Sequence, residues 1–303
     1  MGKSHSKRRH CPPPAPPPAP PAPPPPPSPP LLRKPWREMS WGDRDKDLQY
    51  VKNYQPHNDE VSRLRVLLYG LVGSGKSSFV NSVANVLRGR MSHSALASSS
   101  SREISFTKTY KTHKIPKEGR GNFYPFVFTD IMGLEEGDGR GISVEDIKLA
   151  LKGHVKEGYK FNPVSPLSTN DPGYNPSPAP DDKVHVLVWV CSINTTKINE
   201  SILKKAQDIR EAASDLGVPQ LAIVTKVDEA CGETDKDLKN VYRSKHIKKK
   251  MKEFSSALGI PLNCFLPVKN YCKEISLNDD VDSLVLSPLR LMIDFGDDFI
   301  NDM

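Results

Sequence analysis

The chain has 303 residues, of which 37% are hydrophobic and 26% are charged, so it can bury a core of its own. It contains no run of 18 apolar residues and no secretory signal, and we therefore expect neither a membrane-spanning helix nor export. Five cysteines, an odd number with no two at C-x-x-C spacing, argue against a disulfide framework or a zinc site and favour a reducing compartment. Six basic residues and no acidic one lie in residues 1–35, so subtracting 6 from the net charge of +7 leaves +1 for the remainder. That near-neutral remainder argues against specific nucleic-acid binding.

Residues 1–35 form a low-complexity head. Sixteen of the 29 prolines lie there, and the run from Pro12 to Pro30 contains only Pro, Ala and Ser. Such a run cannot build a core, so we predict a disordered, extended polyproline II spacer. The alternative is a docking site for a proline-recognition domain.

The first residues fit the N-myristoylation pattern M-G-x-x-x-S/T, with Gly2 as the acceptor. A second acyl group on Cys11, or the basic cluster at 7–9, would supply the second signal that stable anchoring needs. The pattern predicts membrane association of the acylated head. Two alternatives stay open, namely a chance match and a nuclear-import or nucleic-acid patch.

Residues 36–60 are aromatic and charged without clear periodicity, and we interpret them as a connector that packs onto the domain formed by residues 61–303. In that domain, apolar runs predict strands at Leu64–Tyr69, Ile104–Ile115, Tyr124–Thr129, Val184–Val190, Gln220–Val224 and Asn263–Pro267. Helical patterns cover Ser77–Arg88, Ser143 to near Gly153, Ile198–Leu216, Ile247–Leu258 and a segment opened by Ser287-Pro288. Ser143 with Asp146 resembles a capping box. The alternation predicts an α/β fold with a mostly parallel sheet and helices on both faces.

One long segment, Phe161–Asp182, interrupts this alternation and is rich in Pro, Asn, Ser and Asp. We predict a long loop inserted before the strand at Val184–Val190. Loops of this length are uncommon unless they are functional or mobile.

The strongest motif is a phosphate loop that matches G-x-x-x-x-G-K-S/T, directly after a strand and directly before a helix. Its glycines let backbone amides approach phosphate oxygens, and the helix N-terminus adds partial positive charge. The lysine is expected to bridge the β- and γ-phosphates, and the next hydroxyl to bind Mg²⁺. The predicted phosphate-binding residues are Gly70, Gly73, Ser74, Gly75, Lys76, Ser77, Ser78 and Gly133.

A D-x-x-G motif, Asp130-Ile131-Met132-Gly133, follows the next pair of strands. An aspartate at a strand end suits a Mg²⁺ site, with Ser77 as the other protein ligand and Gly133 as a sensor of the γ-phosphate. The alternative is an ordinary turn aspartate.

A T-K-x-D motif, Thr225-Lys226-Val227-Asp228, follows the strand at Gln220–Val224. One carboxylate can accept both donors on the N1–N2 edge of guanine, whereas adenine lacks that pair of donors. Asp228 suits this role, with Lys226 along the ring face, and Lys269 lies where a weaker base-contacting loop is expected. The motifs therefore predict a guanine nucleotide, GTP or GDP, with Mg²⁺.

The three motifs occur in the chain order of a Ras-like GTPase. The segments LLYGLVGSGKSSFVNSV, FTDIMGL, DIKLALKGHV, YKFNP, TKVD and PVKNY further resemble the interferon-induced protein 44-like family, over about residues 61–303. The resemblance implies a cytoplasmic GTP-binding protein linked to antiviral or immune response. Larger family members carry an additional N-terminal domain where this chain has its proline-rich head.

Catalysis is the weakest part of the pattern, and no catalytic residue is assigned. Where many Ras-like enzymes place a glutamine to orient water, this chain has Leu134. We therefore predict slow hydrolysis, or hydrolysis that depends on a partner or on a second subunit of a nucleotide-dependent homodimer. The candidates for the switch threonine are Ser98 to Ser101, Thr107 and Thr109.

Two other functions stay open: an immune adaptor with a structural or absent nucleotide, and a P-loop ATPase or nucleotide kinase. A lysine-rich run at 246–252 is interpreted as a solvated helix face, with an acidic-lipid or nucleic-acid surface as the alternative.

Overall fold

The computed structural model describes residues 30–92, 109–119, 121–137 and 140–303. Several predictions therefore lie outside the described residues. They are those on Gly2, on Cys11, on nearly all of the proline run, on the start of the second strand, and on the switch candidates Ser98 to Ser101 and Thr107.

A six-stranded sheet forms the centre of the domain, in the order β2-β3-β1-β4-β5-β6. Only β2 pairs in the antiparallel sense, as an edge strand beside β3, and the other strands are parallel. The strands are β1 at Leu64–Gly70, β2 at Lys111–Pro116, β3 at Phe123–Asp130, β4 at Val186–Ser192, β5 at Gln220–Thr225 and β6 at Phe265–Pro267. Every residue of β4 is buried, as expected for a central strand covered on both faces. The predicted α/β fold with a mostly parallel sheet is confirmed.

Helices cover this sheet, and most of their bounds agree with the predicted patterns to within a few residues. They are α1 at Arg44–Asn53, α2 at Lys76–Arg88, α3 at Val144–Leu151, α4 at Glu200–Asp215, α5 at Gly232–Lys236, α6 at Lys245–Leu258 and α7 at Asp279–Asn301. Short 3-10 turns lie at Pro180–Asp182, Val227–Ala230, Leu238–Asn240 and Leu262–Cys264. The helix α2 ends at Gly89 and α6 ends at Gly259, both in the left-handed conformation that glycine adopts readily.

The C-terminal helix begins earlier than predicted, because α7 starts at Asp279 rather than at Ser287-Pro288. The Asn278 side chain accepts hydrogen bonds from the amides of Asp280 and Val281 and so caps the helix. Pro288 is buried inside α7. Proline opens many helices, but here burial of the apolar face continues through it.

The connector contains a helix that its weak periodicity did not reveal. Leu48 and Val51 of α1 are buried, and Arg44 forms an ion pair with Asp282 of α7, with 2.6 Å between nitrogen and oxygen. Tertiary contacts with α7, rather than an apolar stripe of its own, therefore stabilise α1.

The capping box predicted at Ser143 is incomplete. The Ser143 hydroxyl accepts a hydrogen bond from the Glu145 amide at 3.2 Å. Asp146 instead accepts from the Leu167 amide at 2.8 Å, and burial raises the pKa of its carboxyl. Asp146 thus anchors the long loop at Phe161–Asp182 to α3.

That loop is fixed at a second place by the stacking of the His154 ring on Tyr174, with 5.0 Å between the ring centroids. The Asn175 amide nitrogen also lies 3.1 Å from Asp182. Contacts with α3 and with His154, which follows it, therefore hold the loop at Phe161–Asp182 against the domain.

Candidate nucleotide-binding site

The five parallel strands end at one edge of the sheet, and the motif residues follow those ends. The phosphate loop, Gly70–Ser77, connects β1 to α2. Gly75 is the N-cap of α2 with φ of +92°, and a Cβ there would lie 3.0 Å from the Asn270 side-chain nitrogen. Glycine at this position therefore meets both a backbone requirement and a steric one. The amides at the start of α2 can then point toward an anion.

Lys76 is folded back over this loop and is 8% exposed. Its Nζ donates to the Leu71 carbonyl at 2.9 Å and lies 3.3 Å from the Gly70 carbonyl. Burial lowers the pKa of this ammonium, and the Asp130 carboxylate opposes that shift. A phosphate at the loop would favour the charged form in the same way as Asp130 does.

Ser77 and Asp130 bring two oxygen ligands together. The Ser77 hydroxyl donates to the Asp130 carboxylate, which is 1% exposed at the end of β3. A hydroxyl and a carboxylate at a phosphate site are the ligands that Mg²⁺ prefers, so these residues fit that ion. Gly133 follows closely, and a Cβ there would lie 2.7 Å from the Val72 amide nitrogen. The D-x-x-G turn therefore packs directly on the phosphate loop.

The loops after β5 and β6 are joined to the phosphate loop by side chains. The Thr225 hydroxyl donates to the Ser74 carbonyl at 2.7 Å, across 151 residues of sequence. The Asn270 amide donates to the Gly75 carbonyl at 3.2 Å. The loops after β5 and β6 thus meet the phosphate loop at one edge of the sheet. The role of Thr225 in base binding stays a prediction, since its hydroxyl is used to hold the loop.

Asp228 and Lys269 face each other in the loops that follow β5 and β6, beside the phosphate loop. The Lys269 ammonium lies 3.8 Å from Asp228 and 3.1 Å from Glu274. Burial raises the pKa of Asp228, and Lys269 opposes that shift. Lys226, two residues before Asp228, is the one described non-glycine residue with positive φ, at +60°. A strained backbone conformation of this kind is typical of functional sites.

The sequence did not predict a set of contacts around Tyr271 and Asp282, which we call the brace. The Tyr271 hydroxyl donates to the fully buried carboxylate of Asp282 at 2.7 Å, and the Tyr271 amide donates to the Ser82 hydroxyl at 3.0 Å. Asp282 also pairs with Arg44 of α1. The brace therefore connects α1 and α7 to the segment that carries Lys269 and Asn270. The one signal in the sequence is that this segment follows the last strand.

Leu134 does not present its side chain to the cleft, because it is 1% exposed and belongs to the hydrophobic core. Its amide donates to the Gly70 carbonyl at 2.9 Å. The loop that follows is held by Lys205 of α4, whose Nζ lies 2.9 Å from the Gly137 carbonyl and 3.2 Å from the Glu135 carbonyl. Thr109, the described switch candidate, pairs with Lys160 two residues before β2.

No family model matches the chain. Interferon-induced protein 44 from Mus musculus is 34% identical over 257 residues, which are 84% of this chain and 60% of that protein. The chain is a homologue of interferon-induced protein 44. The human interferon-induced protein 44-like protein is 32% identical over 261 residues, which are 86% of this chain and 57% of that protein. The chain therefore spans more than half, but less than two thirds, of the length of these interferon-induced protein 44 relatives.

Among solved structures, a dimerization-deficient mutant of Toc33 from Arabidopsis thaliana covers 84% of this chain, and the match covers 92% of that chain. The sequence identity is 14% and the TM-score is 0.46. None of the helices in the described ranges is long and apolar enough to cross a membrane.

Proposed function

We propose that the chain is a guanine-nucleotide-binding protein of the Ras-like P-loop class with slow or partner-dependent GTP hydrolysis. The observation that carries this proposal is the pair of contacts from Thr225 to Ser74 and from Asn270 to Gly75. The first contact holds the loop that bears Asp228 against the phosphate loop, and the second holds the loop that bears Lys269. One nucleotide could therefore reach the phosphate loop and Asp228.

Each residue has a defined task in this proposal. Backbone amides of the loop and the Lys76 ammonium would bind the phosphates, and Asp228 would accept hydrogen bonds from the N1–N2 edge of guanine. Ser77 and Asp130 would hold Mg²⁺, which neutralises charge on the phosphates when bound. Lys269, paired with Asp228, would help to keep that carboxylate ionised.

Slow hydrolysis is supported by the burial of Leu134, which leaves the cleft with no side chain from that position. An enzyme of this class needs a group that orients the attacking water. We expect that group to come from a partner or from a second copy of the chain. Turnover of many GTP molecules per second by the purified protein alone would contradict this part of the proposal.

The biological setting is proposed from the names of the relatives, which are described as interferon-induced. We propose an interferon-linked role in innate immune or antiviral response, in the cytoplasm. Loss of antiviral activity on deletion of the gene in interferon-treated cells would support it, and unchanged virus growth would count against it.

The decisive experiment is a calorimetric titration of the full chain with GTP, GDP and ATP, each with and without Mg²⁺. We expect GTP and GDP to bind, ATP to bind far more weakly, and Mg²⁺ to strengthen GTP binding. Tighter binding of ATP would favour the ATPase alternative. Lys76→Ala distinguishes the proposed GTP-binding function from the adaptor alternative. If this variant binds no nucleotide but keeps its cellular activity, the nucleotide is dispensable and the adaptor alternative is favoured.

Acylation of the head is a separate part of the proposal. We expect Gly2→Ala to move the protein from the membrane to the cytosolic fraction of cells. If the wild-type chain and Gly2→Ala appear equally in the cytosolic fraction, the acylation proposal is wrong.

A further inference from the structure

The exposed face of α6 carries a stripe of lysines that the nucleotide site does not use. The apolar side of this helix, with Ile247, Met251, Phe254 and Leu258, is buried against the domain. The opposite side forms an open, shallow surface, lined by Lys245, Lys248, Lys249, Lys252, Glu253, Ser256 and Ala257. These residues recur at the three- and four-residue spacing of one helical face. We call this surface the basic face.

Most of this positive charge is not neutralised by neighbours. Glu253 is the one carboxylate on the basic face, and it lies 3.9 Å from Lys249 and 3.7 Å from Lys250. Across the described ranges, no carboxylate lies within 4.0 Å of the ammonium groups of Lys245, Lys248 or Lys252. Four lysines and one glutamate leave a net charge of +3 on one side of a single helix.

The N-terminal head joins the domain beside this face. Leu31 pairs in the antiparallel sense with Ser244, and the Leu32 amide donates to the Arg243 carbonyl at 2.8 Å. The Lys245 amide, at the start of α6, donates to the Pro30 carbonyl at 3.1 Å. Residues 30–32 are therefore held at the N-terminal end of the basic face.

Additional charge lies along the same attachment. Arg33 and Lys34 are exposed in the segment that runs along residues 242–245. The attached head contributes four more basic residues and no acidic one: Lys3, Lys7, Arg8 and Arg9. Arg33 and Lys34 thus add positive charge beside the basic face, whereas the chain after residue 35 has a net charge of about +1 (7 − 6).

We propose that the basic face, with Arg33 and Lys34 beside it, docks on the anionic headgroups of a lipid membrane, and that the basic residues of the head add to this attraction through their charge. Lysine ammonium groups on flexible stems suit a diffuse negative surface, and each contributes to binding while it lies within a screening length of the charges. A single-stranded nucleic acid is the less favoured partner, because no aromatic side chain that could stack on bases lines the basic face. The surface is independent of the proposed nucleotide site.

The test uses the full chain produced in bacteria without a myristoyltransferase, so that electrostatic docking is measured apart from acylation. Co-sedimentation is compared for vesicles of phosphatidylcholine alone and vesicles that also contain phosphatidylserine, at low and high salt. We expect binding only to the anionic vesicles and weakening at high salt.

The informative variant is Lys248→Gln/Lys249→Gln/Lys252→Gln. At about fivefold for each lysine near an anionic surface, the affinity for anionic vesicles is expected to fall by roughly 100-fold. The matched control, Lys46→Gln/Lys152→Gln/Lys160→Gln, removes the same charge from three exposed lysines elsewhere and is expected to change affinity by less than about fivefold.

Three results would overturn the proposal. They are equal losses in the two triple variants, equal binding to neutral vesicles, and tighter binding of a single-stranded RNA than of anionic vesicles by the same lysines. Circular dichroism of each variant shows that the fold is intact, and Lys7→Gln/Arg8→Gln/Arg9→Gln in the full chain is expected to give a further loss that establishes the contribution of the head.

Discussion

The two ends of the parallel strands use buried polar groups in different ways. At the amino end, the His185 ring is fully buried, accepts a hydrogen bond from the Arg65 amide at 2.9 Å and donates one to the Pro180 carbonyl at 3.1 Å. At the carboxyl end, the buried Lys76 ammonium lies within electrostatic reach of the buried Asp130 carboxylate. The amino end therefore completes the fold, while the carboxyl end holds charges suited to a ligand. Substitutions at the two ends should change different properties.

The largest effect is expected for Lys76→Ala at the carboxyl end. Loss of charged hydrogen bonds to two phosphates should weaken GTP binding by roughly 1,000-fold, or about 4 kcal/mol. The free energy of unfolding should change by less than about 1 kcal/mol, because removal of a desolvated ammonium offsets the lost hydrogen bonds. Calorimetry and urea denaturation measure the two quantities. An equal loss of affinity in His185→Gln would contradict the separation of the two ends.

The second prediction concerns pH and the amino end. Burial lowers the pKa of His185 to about 4, and the bond from the Arg65 amide requires an unprotonated Nδ1. Between about pH 6.5 and pH 4 the unfolded chain binds a proton that the folded chain does not, so the free energy of unfolding falls as pH falls. The contribution is up to about 3 kcal/mol, fully present above pH 6.5. Urea denaturation across this range should show a shallower decline for His185→Gln, and parallel curves would refute the assignment.

The third prediction divides the carboxyl end into its phosphate and base sides. Asp228→Asn keeps the shape of the side chain but gives it a donor in place of one acceptor, so GTP and GDP should bind about 30-fold more weakly, or about 2 kcal/mol. ATP binding should change by less than about twofold, because only guanine presents the donor pair. Titrations of both nucleotides with Asp228→Asn and with Asp235→Asn, a control at an exposed position of α5, decide this. Equal losses for GTP and ATP would count against Asp228 as the base reader.

The smallest expected effect concerns the brace around Tyr271 and Asp282. Tyr271→Phe removes the hydroxyl that donates to the buried Asp282, and we expect the free energy of unfolding to fall by about 1.5 kcal/mol. The matched change Tyr50→Phe removes a hydrogen bond to Asp294 at the surface, where water can replace it, and should cost less than about 0.5 kcal/mol. Denaturation midpoints compare the pair. A larger loss in Tyr50→Phe would show that the brace is not a stabilising feature.

Local motifs supplied most residues of the candidate site, and the roles of those residues stay predictions. The phosphate loop consists of eight consecutive residues between a strand and a helix, so its course depends on neighbours in sequence. Asp130 and Asp228 follow strands whose apolar runs are visible, and parallel strands must end at a common edge. The fold class followed from the same alternation.

Contacts between distant residues were decided only in the tertiary structure. The bond from Thr225 to Ser74 spans 151 residues, that from Asn270 to Gly75 spans 195, and neither has a local signal. The helix α1 has a weak apolar pattern and is stabilised by contacts with α7, and α7 begins early because Asn278 caps it.

The sequence by itself supplied the candidate residues for binding phosphate, Mg²⁺ and guanine, since short motifs carry that chemistry in their spacing. The tertiary structure decided that Leu134 points into the core and that the head joins the domain beside the lysines of α6. The physical reason is the same in both cases. The direction of a side chain and the neighbours of a segment depend on packing between parts of the chain that are far apart in sequence.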